Sequence, residues 1–193
     1  MADVTLSSGS ICRPYRSPWG AFPIKHCKPL SSNAAIHLGR PMELVGGATT
    51  SAGQVTPHST GDNTFLLVGI AASSLAAGSS GTANGVIPIW EANPAVEFVA
   101  NSFGAPIGSS NIGKRRKLVW DSTLNISKVD LSVSTATDWR VVITGVGGEN
   151  GNEGLAGTLG DTGGQVTFKF LPMLAENINS SIPSTTPLLA FFG

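Results

Sequence analysis

The strongest concentration of charge in the sequence is a run of four basic residues, Lys114, Arg115, Arg116 and Lys117. Such a run can contact the phosphates of a nucleic acid or the carboxylates of an acidic protein. The rest of the chain is neutral or acidic and has no basic stripe interleaved with aromatic residues, so direct nucleic-acid binding is not expected. The run therefore predicts contact with an acidic protein surface, and a solvated charge cluster is the alternative.

The glycines before this run have the spacing of a phosphate-binding loop. Residues 108–114 match the pattern G-x-x-x-x-G-K, but the next position, which should be Ser or Thr to hold Mg²⁺, is Arg115. A phosphate-binding loop also opens a helix, whereas the sequence from Leu118 onward has the pattern of a strand. We interpret the segment as a glycine-rich loop that enters a strand, and we expect no cofactor.

Metal and catalytic sites were tested in the same way. Cys12, His26, Cys27 and His37 are a conceivable zinc set, but they lack the C-x₂₋₄-C spacing of common zinc folds, so scattered polar residues are the preferred interpretation and no metal is expected. All three histidines, His58 included, precede the predicted core. No nucleophile elbow or H-E-x-x-H helix occurs, so the sequence predicts a protein that is not an enzyme.

The composition of the 193-residue chain excludes several classes of protein. Charged residues make up 12%, about half the usual share of roughly 25%, and 12 basic residues balance 12 acidic ones. The chain is too poor in Glu, Lys and Arg for a coiled coil, and no apolar run is long enough to cross a membrane as a helix. A surface with so little charge predicts that partners cover much of it, and no membrane partner is expected.

The net charge of zero hides four blocks of opposite sign. Residues 1–40 carry +4, residues 41–113 carry −4, residues 114–117 carry +4 and residues 118–193 carry −4. Such segregation favours contact with charged neighbours. The basic residues of the first block that we take as candidate partner contacts are Arg13, Arg16, Lys25 and Lys28.

The pattern of apolar residues divides the chain into three parts. Residues 1–64 contain six prolines and no sustained periodicity, which predicts an extended, irregular N-terminal arm whose removal leaves the core folded. Residues 65–171 contain six to eight short strand patterns, of which residues 165–170 alternate most clearly. Pro88 favours an edge or a bulge for its strand, and a change of phase after residue 126 favours a bulge or a bend there. We expect an all-β core, an antiparallel β-sandwich or barrel of the jelly-roll kind.

Residues 172–193 form the third part, predicted to be a C-terminal tail. It ends in an apolar stretch that includes Phe191 and Phe192. An apolar terminus is costly to expose to water, so we expect these side chains to fold back on the core or to dock onto a partner.

Several short phrases of the core resemble capsid-associated proteins of tailed bacteriophages. The phrases lie at residues 68–72, 86–94, 96–98, 118–121, 129–131, 135–138, 140–145 and 160–171. They cover roughly residues 65–171, about half of the chain, and they form no catalytic motif. The chain is thus similar to capsid decoration (cement) proteins and other minor capsid proteins.

The resemblance implies a structural virion protein that binds the exterior of an icosahedral capsid and clamps neighbouring major capsid subunits. Its partners would be the major capsid protein and further copies of itself, as a dimer or trimer, and assembly would take place in the host cytoplasm. No catalytic residue is carried over from this family. Many weak contacts, repeated over a symmetric shell, would supply the binding strength.

Two other functions remain open at this point. A head-fibre, tail or receptor-binding module would recognise host glycans through exposed aromatic residues beside carboxylates. Trp90 with Glu91 and Trp120 with Asp121 are the candidates, although filling the core is the preferred role of both tryptophans. An enzyme that cleaves glycans or peptides would need convergent acids or a nucleophile beside a histidine.

Overall fold

The computed structural model describes residues 11–30, 33–45, 53–58, 66–78, 85–132, 141–149, 152 and 154–171. These residues form an all-β protein with one short 3-10 turn at Ser109–Asn111, which confirms the predicted fold class. The strands are β1 Arg13–Arg16, β2 Ile24–Cys27, β3 Pro41–Leu44, β4 Val55–Pro57, β5 Leu66–Ala71, β6 Ile87–Glu91, β7 Glu97–Phe103, β8 Arg115–Asp121, β9 Ile126–Asp130, β10 Val141–Val146 and β11 Gln165–Phe170.

Six of these strands form a sheet in the order β1-β7-β11-β10-β8-β9. The C-terminal half of β7 also pairs with β9 in parallel, and this pairing joins β7, β11, β10, β8 and β9 into a closed ring. We call this ring the barrel. Closure satisfies the backbone groups that an open sheet would leave at its edges.

The interior of the barrel is filled by the inward residues of alternating strands. In β11, Phe168 and Phe170 point inward, and Phe98 of β7 completes an aromatic group. The ring centroids of Phe98 and Phe170 are 5.0 Å apart in an edge-to-face arrangement, and those of Phe168 and Phe170 are 5.6 Å apart. Such contacts stabilise the core beyond the burial of area alone. Residues 165–170 therefore alternate because they form a strand with one side in the core, as the sequence predicts.

The other five strands form a second sheet in the order β2-β6-β5-β3-β4. Its two edges are joined where the chain leaves β2, because the N–H of Val55 donates to the Lys28 carbonyl at 2.9 Å and the N–H of Leu30 donates to the Val55 carbonyl at 2.8 Å. A separate apolar cluster lies against this sheet. Its buried members are Cys27, Ile36, Met42, Val55, Ala71, Ile87 and Ile89.

The described part of residues 1–64 is not an irregular arm, so that prediction is wrong. β1 belongs to the sheet of the barrel, and β2, β3 and β4 supply three of the five strands of the second sheet. These strands tolerate their prolines because of the positions that the prolines occupy. Pro41 begins β3, Pro57 ends β4, and a register shift follows Pro14. A proline at a strand end or beside a bulge removes little from the ladder. Residues 1–10 and the predicted tail at 172–193, with Phe191 and Phe192, lie outside the described residues.

One local prediction is also wrong, and one alternative of a second is excluded. β6 lies between β2 and β5 and not at an edge, although it contains Pro88. The carbonyl of Pro88 accepts from the N–H of Ala72, just past the end of β5, so its missing N–H falls where the ladder stops. Of the bulge or bend expected after residue 126, the bulge is absent, since β8 and β9 pair in unbroken register. Leu124, which belongs to the earlier phase, lies in the turn at residues 122–125.

Candidate functional site

The basic run does not present all four side chains on one surface. Arg116 is buried, 9% exposed, and its Nη1 donates to the Arg115 carbonyl at 3.0 Å. It shares its side of β8 with Leu118, which is fully buried in the barrel. Arg115 and Lys117 point to the opposite, outer side because neighbouring residues of a strand alternate. The predicted compact cluster is therefore split: Arg116 belongs to the barrel wall, and its neighbours face outward.

The outer side of the barrel brings a further cation beside Arg115. Val142 of β10 is directly opposite Arg115 of β8 on one side and Lys169 of β11 on the other. Directly opposed residues in a sheet share a face, so Arg115 and Lys169 are one strand apart, roughly 10 Å between their backbones. We call Arg115, Lys117 and Lys169 the cationic face. Lys114, which precedes β8, is exposed but alternates with Arg115 and is not part of it. The sequence analysis missed Lys169, whose signal was its outward place in the alternation of β11.

Two carboxylates of the described residues, Asp130 and Glu97, border the cationic face. Asp130 of β9 is directly opposite Lys117, and its Oδ1 accepts from the N–H of Ser132 at 2.9 Å and from the Ser132 hydroxyl at 2.6 Å. These bonds hold the Asp130 carboxylate in the turn that follows β9. Glu97 accepts a hydrogen bond from Thr144 of β10, two residues beyond Val142. Within the part of the chain that the structure describes, the face is thus positive with these two negative groups at its margin.

Arg13 and Arg16 lie on β1, at another part of the barrel surface. Arg13 is opposite Val99, and Arg16 is opposite Glu97, with Nη1 3.8 Å from the Glu97 Oε2 atom. Glu97 also accepts a hydrogen bond from the Thr144 hydroxyl. Arg16 stands 4.8 Å from the centre of the Tyr15 ring. The pair Arg16–Glu97 therefore fixes the surface of β1 against β7.

Lys25 and Lys28 are exposed on the second sheet and do not join the cationic face. Lys25 is opposite Ile89 of β6 in the ladder between β2 and β6. Lys28 follows β2, where its carbonyl accepts the bond from Val55. Apart from the other two residues of the basic run, the fold therefore distributes the predicted basic contacts over three places: the cationic face, β1 and β2.

Trp120 and Asp121, one of the two proposed glycan pairs, are engaged within the protein. The ring of His37 stacks on Trp120 with centroids 5.7 Å apart, and the Arg40 guanidinium lies 4.9 Å from the Trp120 ring centre. The Lys128 ammonium donates to Asp121 at 2.6 Å, and this bond, with the backbone N–H of Leu124, lowers the pKa of Asp121. Trp120 is partly buried and therefore packs between the barrel and the residues that enter β3.

The other proposed pair is divided between core and surface. Trp90 is partly buried and packs against the barrel core cluster, whereas Glu91 is exposed at the end of β6. A sugar-binding aromatic residue needs a face open to the ligand beside its polar partners. Trp90 acts mainly as packing, as the sequence analysis preferred.

The four residues of the conceivable zinc set are not brought together. Cys12 and Cys27 are free thiols buried in two different apolar clusters, and burial raises the pKa of both. His37 stacks on Trp120, and His26 is exposed on β2. Among the described residues, no group of three or more His, Cys, Asp or Glu could hold a metal ion.

The glycine-rich segment before the basic run has the structure expected of a strand entry. Ser109–Asn111 form a single 3-10 turn, and after Lys114 the chain continues as β8. A phosphate-binding loop requires the N-terminus of a helix at this place. The segment lacks that feature.

One polar pair was missed by the sequence analysis. His58 Nδ1 lies 2.6 Å from Glu43 Oε2, and their side chains are only 6% and 3% exposed. Arg40 is close enough for the Glu43 charge to act on it, although burial lowers the pKa of Arg40. The two residues are 15 positions apart, and only the hairpin of β3 and β4 brings them together. The pair is enclosed and stabilises the interior of the second sheet.

Comparisons of the chain with protein-family models, curated proteins and solved structures give no match. Within the part of the chain that the structure describes, no helix is long and apolar enough to cross a membrane. The function is therefore argued from the geometry of the described surfaces.

Proposed function

We propose that the chain is a structural virion protein that binds the outer surface of an icosahedral phage capsid and cements neighbouring major capsid subunits. The observation that carries the proposal is the alignment of Arg115 and Lys169 across β10 on the closed barrel. A rigid β-body with a cationic face is suited to an acidic protein shell, because fixed charges set the orientation of docking.

The barrel wall holds this face in a fixed shape. The outward cations of β8 and β11 alternate with inward residues that are fully buried, such as Leu118 and Phe168, so both strands are anchored by the core beneath them. Preorganised charges lose little conformational entropy on binding. On a symmetric shell, the same contact recurs at many equivalent positions, so modest single contacts add up.

The other two functions have less support from the described residues. The Trp120 ring is already stacked by His37 and contacted by the Arg40 guanidinium, which weighs against a glycan site there. The pair Glu43–His58 resembles an acid–base couple in composition, but its burial separates it from any substrate in solution. Binding through the cationic face is the better-supported role.

Cosedimentation tests the proposal. Purified capsids are mixed with the full chain and centrifuged, and we expect the chain to sediment at a fixed ratio to the major capsid subunit. The variant Arg115→Gln/Lys117→Gln should bind at least about 10-fold more weakly at low salt, and the difference should shrink as salt rises.

A matched control separates local from overall charge effects. Ser122→Asp/Thr123→Asp lowers the net charge by the same two units at the exposed turn between β8 and β9, at the opposite end of β8 from Arg115. Binding by this control should equal that of the wild-type chain. If both variants weaken binding to capsids equally, the effect is one of net charge and not of the cationic face. If the wild-type chain does not cosediment with capsids, the proposed function is wrong.

A further inference from the structure

The segment that leads from β1 into β2 exposes three large apolar side chains close together in sequence. Trp19 is 60% exposed, Phe22 is 38% exposed and Ile24 is 52% exposed, all within six residues. The other large apolar side chains that are exposed in the described residues, Ile112, Leu124 and Leu159, are far apart in sequence. We call residues 17–24 the Trp19 loop. Tryptophan is among the residue types that contribute most to protein interfaces.

The Trp19 loop is held at both ends by different sheets. β1 pairs with β7 before the loop, and β2 pairs with β6 after it. Inside the loop, the N–H of Gly20 donates to the Ser17 carbonyl at 3.3 Å, and the N–H of Glu91 donates to the Pro23 carbonyl at 3.0 Å. The apolar side chains therefore stand on an anchored support and need little ordering when they bind.

The charges around the loop are predominantly positive: against four cations stand Glu97, which pairs with Arg16, and Glu91, whose N–H donates to the Pro23 carbonyl. Residues 11–30 contain no Asp or Glu. The cations on the flanking strands, Arg13, Arg16 and Lys25, are exposed, and Lys28 is exposed just beyond β2. An apolar centre with a positive margin is complementary to an apolar pocket with an acidic rim.

The same charges decide between possible occupants. A two-fold contact between two copies would place each set of cations against the identical set, which costs energy through like-charge repulsion. A glycan site would want a carboxylate beside the aromatic residues, and residues 11–30 supply none. Glu91 contacts the loop through its backbone, but it follows Trp90, the partner of Ile24, so its side chain alternates to the other face of the sheet from Ile24. Because β1 and β2 hold the cations at fixed spacing, carboxylates fixed on a folded protein suit them better than fluid lipid headgroups.

We propose that the Trp19 loop is an anchor that inserts Trp19, Phe22 and Ile24 into an apolar pocket rimmed by carboxylates on the partner protein. This inference rests on the proposed function and names the chemistry of the contact on the capsid subunit. It adds a second contact to the cationic face, on a different part of the molecule.

Hydroxyl-radical footprinting with mass spectrometry tests the anchor in the wild-type chain, free and bound to capsids. Trp19 and Phe22 should be oxidised readily in the free chain and protected at least about 5-fold in the bound chain. Leu159, which is 50% exposed on another loop, serves as the internal control and should change little. Equal oxidation of Trp19 in both states would overturn the anchor.

Substitution gives an independent test. Trp19→Ala should weaken cosedimentation about 30-fold, as expected of a hot-spot residue, while Leu159→Ala should not change it. If the wild-type chain sediments with capsids and Trp19→Ala sediments equally well, the anchor fails and the proposed function stands. If the wild-type chain does not sediment with capsids, the proposed function is wrong, and the anchor, which rests on it, is wrong with it.

Two further measurements identify a different occupant. Sedimentation velocity of the free chain would show loss of an oligomer in Trp19→Ala if a second copy covers the loop. Flotation with vesicles of phosphatidylcholine and phosphatidylserine would show Trp19-dependent binding if the loop enters a membrane. We expect no effect of Trp19→Ala in either measurement, and either effect would overturn the proposed occupant.

Discussion

The hydroxyl of Ser127, on β9, donates a 2.6 Å hydrogen bond to the carbonyl of Gly39, 88 positions earlier in the chain. Both residues are buried. Gly39 also donates its N–H to the Ala71 carbonyl at 2.9 Å, so one residue links the barrel with the second sheet. The N-terminal third of the chain is thereby built into the interior.

Deletion of residues 1–60 is therefore expected to prevent folding, in contrast to the outcome that the sequence predicts. The deletion removes β1 to β4 and uncovers Ile70, Ile87 and Ile89, which are 0% exposed. Circular dichroism should show loss of the cooperative thermal transition, and a dye that binds exposed apolar surface should become fluorescent. Deletion of residues 1–10, which keeps all described strands, is the control, and a cooperative transition in the longer deletion would contradict the expectation.

Replacement of Gly69 tests the close approach of β5 and β6. A Cβ atom at this position would lie 2.0 Å from the Trp90 carbonyl oxygen, which is backbone and cannot swing away. We expect Gly69→Ala to lower the free energy of unfolding by about 3 kcal/mol, measured by urea denaturation. Gly108→Ala is the matched control, because the nearest atom to its new Cβ is the Ser110 hydroxyl oxygen at 3.9 Å. Equal stability of the two variants would show that the strands can separate at Gly69.

The ion pair of Asp121 and Lys128 predicts a pH-dependent contribution to stability. The pKa of Asp121 is lowered in the folded protein, chiefly by the Lys128 bond, so the folded state favours the carboxylate. This contribution is complete above the unfolded pKa of about 3.9 and is lost as the pH falls through the lower folded pKa. Asp121→Asn should cost about 1 kcal/mol at pH 7, and the difference from the wild-type chain should shrink below about pH 4.

The control for this measurement is Glu91→Gln, which removes an exposed carboxylate at the end of β6. Its effect on the unfolding free energy should stay within about 0.5 kcal/mol. A difference between Asp121→Asn and the wild-type chain that persists unchanged at pH 2.5 would assign the effect to packing instead of charge.

The two buried thiols should be unreactive in the native protein. Cys12 is fully buried and Cys27 is 7% exposed, and burial raises the pKa of each thiol, which suppresses the reactive thiolate. A thiol reagent that reports by absorbance should find no reactive thiol within minutes at pH 8, and two in 6 M guanidinium. Rapid reaction of one thiol in the native state would reveal local opening of the cluster that holds it.

Local patterns in the sequence were sufficient for the strands with strict alternation. The residues of β11 alternate because Val166, Phe168 and Phe170 all face the barrel interior. The same reasoning could not find β1 to β4, because they have only three or four residues each and three of them contain proline. Such strands are specified by distant partners, and a pattern within the segment does not record them.

The candidate site shows the same limit. The charges of Arg115 and Lys117 were evident, but the burial of Arg116 depends on which side of β8 faces the core. Lys169 joined the cationic face only through the register between β10 and β11. The exposure of Trp19 was missed because a lone tryptophan is usually buried, and its turn between two sheets is visible only in three dimensions.

The order of strands along the chain has a consequence for synthesis on the ribosome. All strands of the second sheet are contained in residues 24–91, so this sheet can form while the rest is still being translated. β1 is synthesised before these strands, but β7, its only partner strand in the described residues, begins at Glu97. The barrel can close only after β11, which ends at Phe170, has been synthesised. The second sheet therefore has all its strands before the barrel does. β1 can form its ladder only after β7 has been synthesised.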